Sequence, residues 1–184
     1  QECAAEAGLH TVALAIEQLG YDSDLDRFVD LEEAPISSVF KLYPWEWVLD
    51  DEFGRRAVDL LPETMWVEPL WKALLSNKAI LAVLWEMYPG HPNLLPTYLD
   101  DPHELADYLR KPKLGREGGN IPVAAPGYQL ETGGVYGAEG FVYQLFDPLP
   151  QSDGMHPCLG AWIVGHESAG LGIRESPGLI TDNI

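Results

Sequence analysis

Residues 111–120 read Lys-Pro-Lys-Leu-Gly-Arg-Glu-Gly-Gly-Asn, a stretch through which no helix can run. Pro112 has no N–H to donate and biases Lys111 away from the α region. Gly115, Gly118 and Gly119 let the backbone turn sharply and approach another group closely. The stretch is also cationic. Arg110, Lys111, Lys113 and Arg116 cluster in a chain with 11 Lys and Arg against 29 Asp and Glu, a formal net charge of -18. Positive charge gathered on a turn in so acidic a protein suits an anion. An exposed basic turn between two elements reads the same way, and the segment alone does not decide.

A chain of 184 residues with 46% hydrophobic content, six Trp, eight Tyr and five Phe is globular and holds one substantial core or parts of two domains. No run reaches the roughly 18–20 apolar residues of a membrane span, and the start shows no signal peptide. The negative balance repels nucleic-acid backbones and anionic lipid, so neither a nucleic acid nor a membrane is an expected partner. Cys3 and Cys158 have no metal-like spacing and make no disulfide framework, which points to a reducing, cytoplasmic setting.

Along the chain, residues 2–8 read as a helix end closed by Gly8, 11–16 as a short buried strand and 21–33 as acidic and irregular. Residues 38–42 read as a strand, followed by the aromatic knot Tyr43-Pro44-Trp45-Glu46-Trp47 and a helix over 50–59. Leu70, Leu74 and Leu75 form one helical stripe, and Ile80, Val83, Leu84 and Met87 a second. Trp45, Trp47, Trp66, Trp71 and Trp85 are core candidates. Residues 94–98 are extended, and 102–109 predict a short helix with Asp101 as N-cap. Beyond Asn120 the pattern turns to strands at 128–131, 140–146, 159–164 and 171–174, with turns at Gly133-Gly134 and Asp153-Gly154.

Chemistry is sparse but not absent. Lys78, Lys111, Arg116 and Arg174 are separated cations of the kind a polyphosphate needs, and each also reads as an ordinary surface cation. Residues 142–147, Val-Tyr-Gln-Leu-Phe-Asp, offer an apolar slot with hydrogen-bonding edges for a base, or simply an alternating core strand. The loop is neither a P-loop nor a dinucleotide fingerprint. The five histidines make no metal cluster, and Glu46, Glu68, Glu117, Glu131 and Glu139 are available to magnesium without locating it.

The ordered set Phe40-Lys41-Leu42-Tyr43-Pro44-Trp45-Glu46-Trp47, Trp66-Val67-Glu68-Pro69-Leu70-Trp71-Lys72, Leu75-Ser76-Asn77-Lys78, Arg110-Lys111-Pro112 with Gly115-Arg116-Glu117-Gly118-Gly119-Asn120, Gly140-Phe141-Val142-Tyr143-Gln144 and Gly170-Leu171-Gly172-Ile173-Arg174-Glu175 resembles the glutathionylspermidine synthase family. The resemblance implies an α+β, partial ATP-grasp-like fold with mixed or antiparallel sheet in the C-terminal half. Residues 1–60 would belong to a pre-ATP-grasp-like region and 61–184 to an incomplete nucleotide-binding region. It further implies an ATP- and magnesium-dependent carboxylate–amine ligase that forms an amide through an acyl phosphate.

By the same resemblance Lys78 and Lys111 contact ATP, and Glu117 and Gly118 lie in the loop over the phosphates. Gln144, Leu145, Phe146 and Asp147 flank the adenine, Leu179, Ile180 and Thr181 touch the nucleotide, and Arg174 stabilises the transferring phosphoryl group. The magnesium ligands and most substrate-facing residues of the family lie upstream, so no metal ligand is expected here. The chain is expected to be a C-terminal fragment that is inactive by itself. In the complete enzyme the partners would be ATP, a peptide or small carboxylate, and an amine or polyamine. The alternatives are a non-catalytic nucleotide-binding or regulatory remnant and a structural or protein-binding domain.

Overall fold

The computed structural model describes residues 1–181. The chain divides into two units, the first Gln1–Leu74 and the second beginning at Leu75.

In the first unit, helix α1 (Glu2–Glu6) ends with Gly8 at φ 74, the left-handed position that glycine favours. The buried strand expected over 11–16 does not form: residues 11–15 are largely exposed and join no strand, and Ile16 opens a 3-10 turn, because two alanines among residues 11–15 bury too little apolar surface. The acidic segment after them is ordered rather than irregular. Strands β1 (Gly20–Asp22) and β2 (Arg27–Val29) form an antiparallel hairpin. Asp22 Oδ1 accepts the N–H groups of Asp24 and Leu25 at 2.8 and 3.0 Å, so a carboxylate does the turning that acidity alone does not announce.

Strand β3 (Ser38–Phe40) runs parallel to β4 (Met65–Val67), and the connection holds two short helices, α2 (Trp45–Asp50) and α3 (Gly54–Asp59). The single helix expected over 50–59 is broken at its start. Gly54 makes the corner: a Cβ there would lie 2.2 Å from the Val48 carbonyl oxygen. The core of this unit is Phe28, Trp45, Val48, Ala57, Leu60 and Trp66. Burying a side chain such as Phe28 contributes about 1.5–3 kcal/mol. Lys41 lies over the Trp45 ring with only 4% of its side chain exposed and pairs with Glu68 at 3.1 Å. Trp47 and Trp71 are not core residues; they are 43% and 61% exposed.

Helix α4 (Ala73–Ser76) precedes α5 (Ala79–Met87), whose buried residue is Ala82. The leucine stripe expected before it is broken, with Leu74 and Leu75 exposed, and Val83 and Met87 also face outward. The second unit is built on a five-stranded antiparallel sheet. Its strands are β5 (Thr97–Leu99), β6 (Tyr108–Pro112), β7 (Pro122–Ala125), β8 (Tyr128–Glu131) and β9 (Phe141–Leu145), in the order β5-β9-β6-β7-β8. The α+β class with antiparallel sheet in the C-terminal half therefore holds.

The helix expected over 102–109 does not form. Asp101 Oδ1 accepts the His103 N–H at 2.8 Å in a tight turn, and Tyr108 and Leu109 pair instead with Leu145 and Gln144 of β9. Tertiary pairing overrides a local helix signal there. Strands β10 (His156–Val164) and β11 (Glu167–Ser176) form a long hairpin outside that sheet, with Leu159, Trp162, Ile163, Val164, Leu171 and Ile173 all at least 60% exposed. No helix among the described residues is long and apolar enough to cross a membrane.

Candidate functional site

Alternation along a strand sends every second side chain to the same sheet face, and directly paired residues share a face. Lys111 pairs with Val142, and Leu109 with Gln144, so Lys111 and Gln144 lie on one face of the β6–β9 pair. Lys111 Nζ donates to Gln144 Oε1 at 2.6 Å. Gln144 Nε2 donates in turn to Thr97 Oγ1 at 3.0 Å, and Thr97 Oγ1 donates to the Leu95 carbonyl at 2.9 Å. Thr97 is 1% and Gln144 8% exposed, so this chain fixes the amide with its oxygen toward the lysine.

Lys78 comes to the same place from the start of α5. Its backbone N–H donates to the Lys113 carbonyl at 2.8 Å, and its ammonium donates to the Gly115 carbonyl. Burial pushes the Lys111 ammonium below its ordinary value, and the charge of Lys78 pushes it the same way. Two cations side by side and partly desolvated are a poor resting arrangement and a good receptor for an anion.

The loop after β6 supplies the third wall. Glu117, Gly118 and Asn120 have φ of 54, 69 and 55, all left-handed. Gly118 is the position where glycine is required by space as well: a Cβ would come 2.8 Å from Ile180 Cγ2 and 3.0 Å from the Thr181 carbonyl oxygen. Thr132 Oγ1 accepts the Ile121 N–H at 2.8 Å and donates to the Gly118 carbonyl, and Asn120 N–H donates to the Gly133 carbonyl at 3.1 Å. Among the described residues the N–H groups of Glu117 and Gly118 have no acceptor. The cleft under the loop, between Lys78, Pro112 and Gly118, has a volume of about 60 Å³. That admits a few water-sized groups and not a purine.

The structure thus gathers Lys78, Lys111, Gln144, Glu117, Gly118, Ile180 and Thr181 around the loop and the end of β6, with Leu179 half-buried beside Ile180. Leu145 and Phe146 lie further along β9, their N–H groups held by the Pro96 and Asp107 carbonyls at 2.8 and 3.1 Å. The Phe146 ring meets Tyr128 edge to face at 4.7 Å, and Asp147 follows, exposed. Arg174 is not gathered. It is exposed on β11, and among the described residues its guanidinium bonds Cys158 Sγ at 3.7 Å and neither lysine.

Sequence does not single out Thr97 or Thr132. A threonine inside an apolar strand and one just before Gly133-Gly134 are faint signals, since either reads as ordinary strand composition. Among the described residues no three of His, Cys, Asp and Glu converge so as to hold a metal ion.

Over residues 1–184 the sequence matches the family model described as glutathionylspermidine synthase preATP-grasp. It is 44% identical over 194 residues to a Haemophilus influenzae protein named "Putative acid--amine ligase", covering 99% of this chain and 48% of that protein. It is 30% identical to the trypanothione synthetase of Crithidia fasciculata, covering 83% of this chain and 27% of that protein. Identity is also 30% to the bifunctional glutathionylspermidine synthetase/amidase of Escherichia coli, with 95% and 32% covered. The chain spans about half the length, or less, of these relatives. On this match the chain belongs to the glutathionylspermidine synthase family.

Proposed function

We propose that this chain supplies the nucleotide-phosphate apparatus of an ATP-dependent carboxylate–amine ligase. The observation that carries the reading is Lys111, desolvated beside Lys78 and oriented by a buried amide, in a chain of net charge -18 where a carboxylate partner is plentiful. ATP supplies the phosphoryl group that converts a carboxylate to an acyl phosphate, from which an amine displaces inorganic phosphate to leave an amide. Lys111 and Lys78 hold phosphate oxygens, the latter by giving up its bond to Gly115. The N–H groups of Glu117 and Gly118, which meet no acceptor among the described residues, close over the same oxygens, excluding water from a reactive intermediate.

Gln144 to Asp147 border the base, and Leu179 to Thr181 back the loop. Arg174 serves the transferring phosphoryl group. Magnesium would neutralise phosphate charge, but the described residues offer it no ligand cluster, and no step is routed through it. Residues 1–60 serve as the pre-ATP-grasp-like part and 61–184 as the nucleotide-binding part, with the stretch through Leu74 packed into the first unit. Glutathione-like peptides and polyamines are the first acid and amine to try, since the names of the relatives include glutathionylspermidine synthetase/amidase. The free thiols of Cys3 and Cys158 fit a cytoplasmic protein.

A second reading, nucleotide binding without ligation, is favoured by one observation: Arg174 bonds Cys158 and not the lysine cluster. The two readings separate in an assay of the full-length protein that carries this chain. ADP release is measured over panels of peptides and amines, with mass analysis of products. An amide product establishes ligation; ATP binding with no turnover for any pair favours the second reading.

A further inference from the structure

One step past the Pro122–Glu131 pair, the β7–β8 ladder ends with Ile121 opposite Thr132. The Thr132 N–H donates to the Ile121 carbonyl at 3.2 Å, as an antiparallel pair requires. The return bond departs from the pattern. The Ile121 N–H donates to Thr132 Oγ1 at 2.8 Å, where a regular ladder uses a backbone carbonyl. A carbonyl only accepts, whereas a hydroxyl accepts and donates at once. Thr132 does both, because its Oγ1 donates to the Gly118 carbonyl. The other end of that peptide is held too: the Gly119 N–H donates to the Arg116 carbonyl at 2.9 Å. The 118–119 peptide is thus fixed at its oxygen and at its nitrogen. Just before it stand the N–H groups of Glu117 and Gly118, which meet no acceptor among the described residues and belong to residues lining the cleft beside Lys78.

We propose that Thr132 is a positioning residue of the phosphate site, its hydroxyl setting the orientation of the loop amides at Glu117 and Gly118. The proposal rests on the reading of this cleft as a nucleotide-phosphate site. Glu117 and Gly118 have left-handed φ, 54 and 69, and successive N–H groups in such a turn make a concave pair of donors for anionic oxygens. Donors already held in place need no ordering when the anion arrives, which favours binding. Gly118 cannot supply that restraint itself, since glycine has the freest backbone of any residue. The neighbouring bonds do not supply it either. Asn120 N–H to the Gly133 carbonyl at 3.1 Å, and Asn120 Nδ2 to the Tyr136 carbonyl at 2.5 Å, fasten the loop beyond residue 119. They leave the Gly118 carbonyl to Thr132. Without the hydroxyl the 118–119 peptide turns about Gly118, and the two donors lose their common direction.

The test compares the full-length protein that carries this chain with its Thr132→Val, Thr132→Ala and Thr132→Ser variants. Val keeps the shape without the hydroxyl, Ala removes the hydroxyl with no chance of a clash, and Ser restores it. Affinities for ATP and AMP are read by competition against a fluorescent nucleotide, so that weak AMP binding is also measured. A thermal melt checks that each variant is folded. Thr132→Val and Thr132→Ala are expected to lose ATP affinity by about 10-fold, the worth of one oriented donor to a charged oxygen. AMP, which has no β or γ phosphate, is expected to bind all four proteins alike, and Thr132→Ser to bind ATP as the unmodified protein does. With ATP at saturation the Gly118 amide should exchange with solvent more slowly in the unmodified protein and in Thr132→Ser, and without that slowing in Thr132→Val. Unchanged ATP affinity in the variants lacking the hydroxyl overturns the proposal. So does an equal loss for ATP and AMP, which marks a merely structural threonine, or a Thr132→Ser variant as weak as Thr132→Val. These results leave the phosphate reading standing; an unmodified protein that binds no ATP removes both.

Discussion

Lys111 Nζ and Gln144 Oε1 lie 2.6 Å apart on one face of the sheet, although the residues are not directly paired across β6 and β9. The lysine reaches diagonally along the strand, and Thr97 holds the far end of the amide. Gln144→Leu leaves a half-buried lysine and a buried threonine short of partners. It is expected to lower stability by about 1–3 kcal/mol, read from urea denaturation. Gln144→Glu keeps the shape but sets a carboxylate against Lys111, and ATP affinity is expected to fall by about 10-fold or more in a direct binding assay.

The depressed pKa of Lys111 has a signed consequence. Its ordinary value is 10.5, and the fold disfavours the charged form. In the window between the lowered folded value and 10.5 the unfolded chain binds more protons, so the wild-type protein gains stability as pH rises through it. Below the folded value the penalty is present in full. Lys111→Met removes this dependence, and the difference in denaturation midpoint between the two proteins should move in favour of wild type as pH approaches 10.5. A phosphate bound at the lysine restores its proton affinity, so nucleotide binding in the same window should take up protons, measured by calorimetry in buffers of different ionisation heat.

Gly118→Ala tests the loop. At φ 69, with Ile180 Cγ2 2.8 Å from the added Cβ, the loop and the segment after β11 cannot both stay where they are. The expected loss is about 1–2 kcal/mol of stability together with weaker ATP binding. Wild-type affinity in this variant would remove the loop from the phosphate site.

Arg174→Ala is expected to lower the rate of amide formation by about 100-fold or more while ATP affinity changes little, because a group that meets charge only in the transition state adds little to ground-state binding. Rapid-quench measurement of ADP formation in the full-length protein, beside equilibrium ATP binding, gives both numbers. Equal rates in the two proteins would sink the assignment.

The parts of this fold that sequence revealed are those where local pattern and tertiary pairing agree. The strands expected at 38–42, 128–131 and 140–146 are short runs rich in apolar residues and bounded by turn residues, and they appear within a residue or two of those bounds. The helix expected over 102–109 does not form because Asp101-Pro102 is equally good at starting a helix and at making a turn. The hairpin of β1 and β2 was hidden since its turn is made by one aspartate side chain rather than by glycine. Of the site, glycine spacing and clustered cations were visible in one dimension. That Lys111 is held by Gln144, 33 residues away, and Gln144 by Thr97, 47 residues away, follows from strand order. Strand order leaves no mark in a local window.

The β10–β11 ribbon bears on how rigid Arg174 is. Nine cross-strand pairs join the two strands, yet large apolar side chains along both stand in water, and the register slips between Trp162 and Ile163. A ladder with so little apolar surface packed against it opens at low free energy, and its amides should exchange with solvent long before those of β6 and β9. The arginine assigned to chemistry then rides on a segment whose protection must come from whatever lies against it. Hydrogen exchange of Ile173 and Arg174, followed as substrates are added, would record the moment that surface is taken out of water.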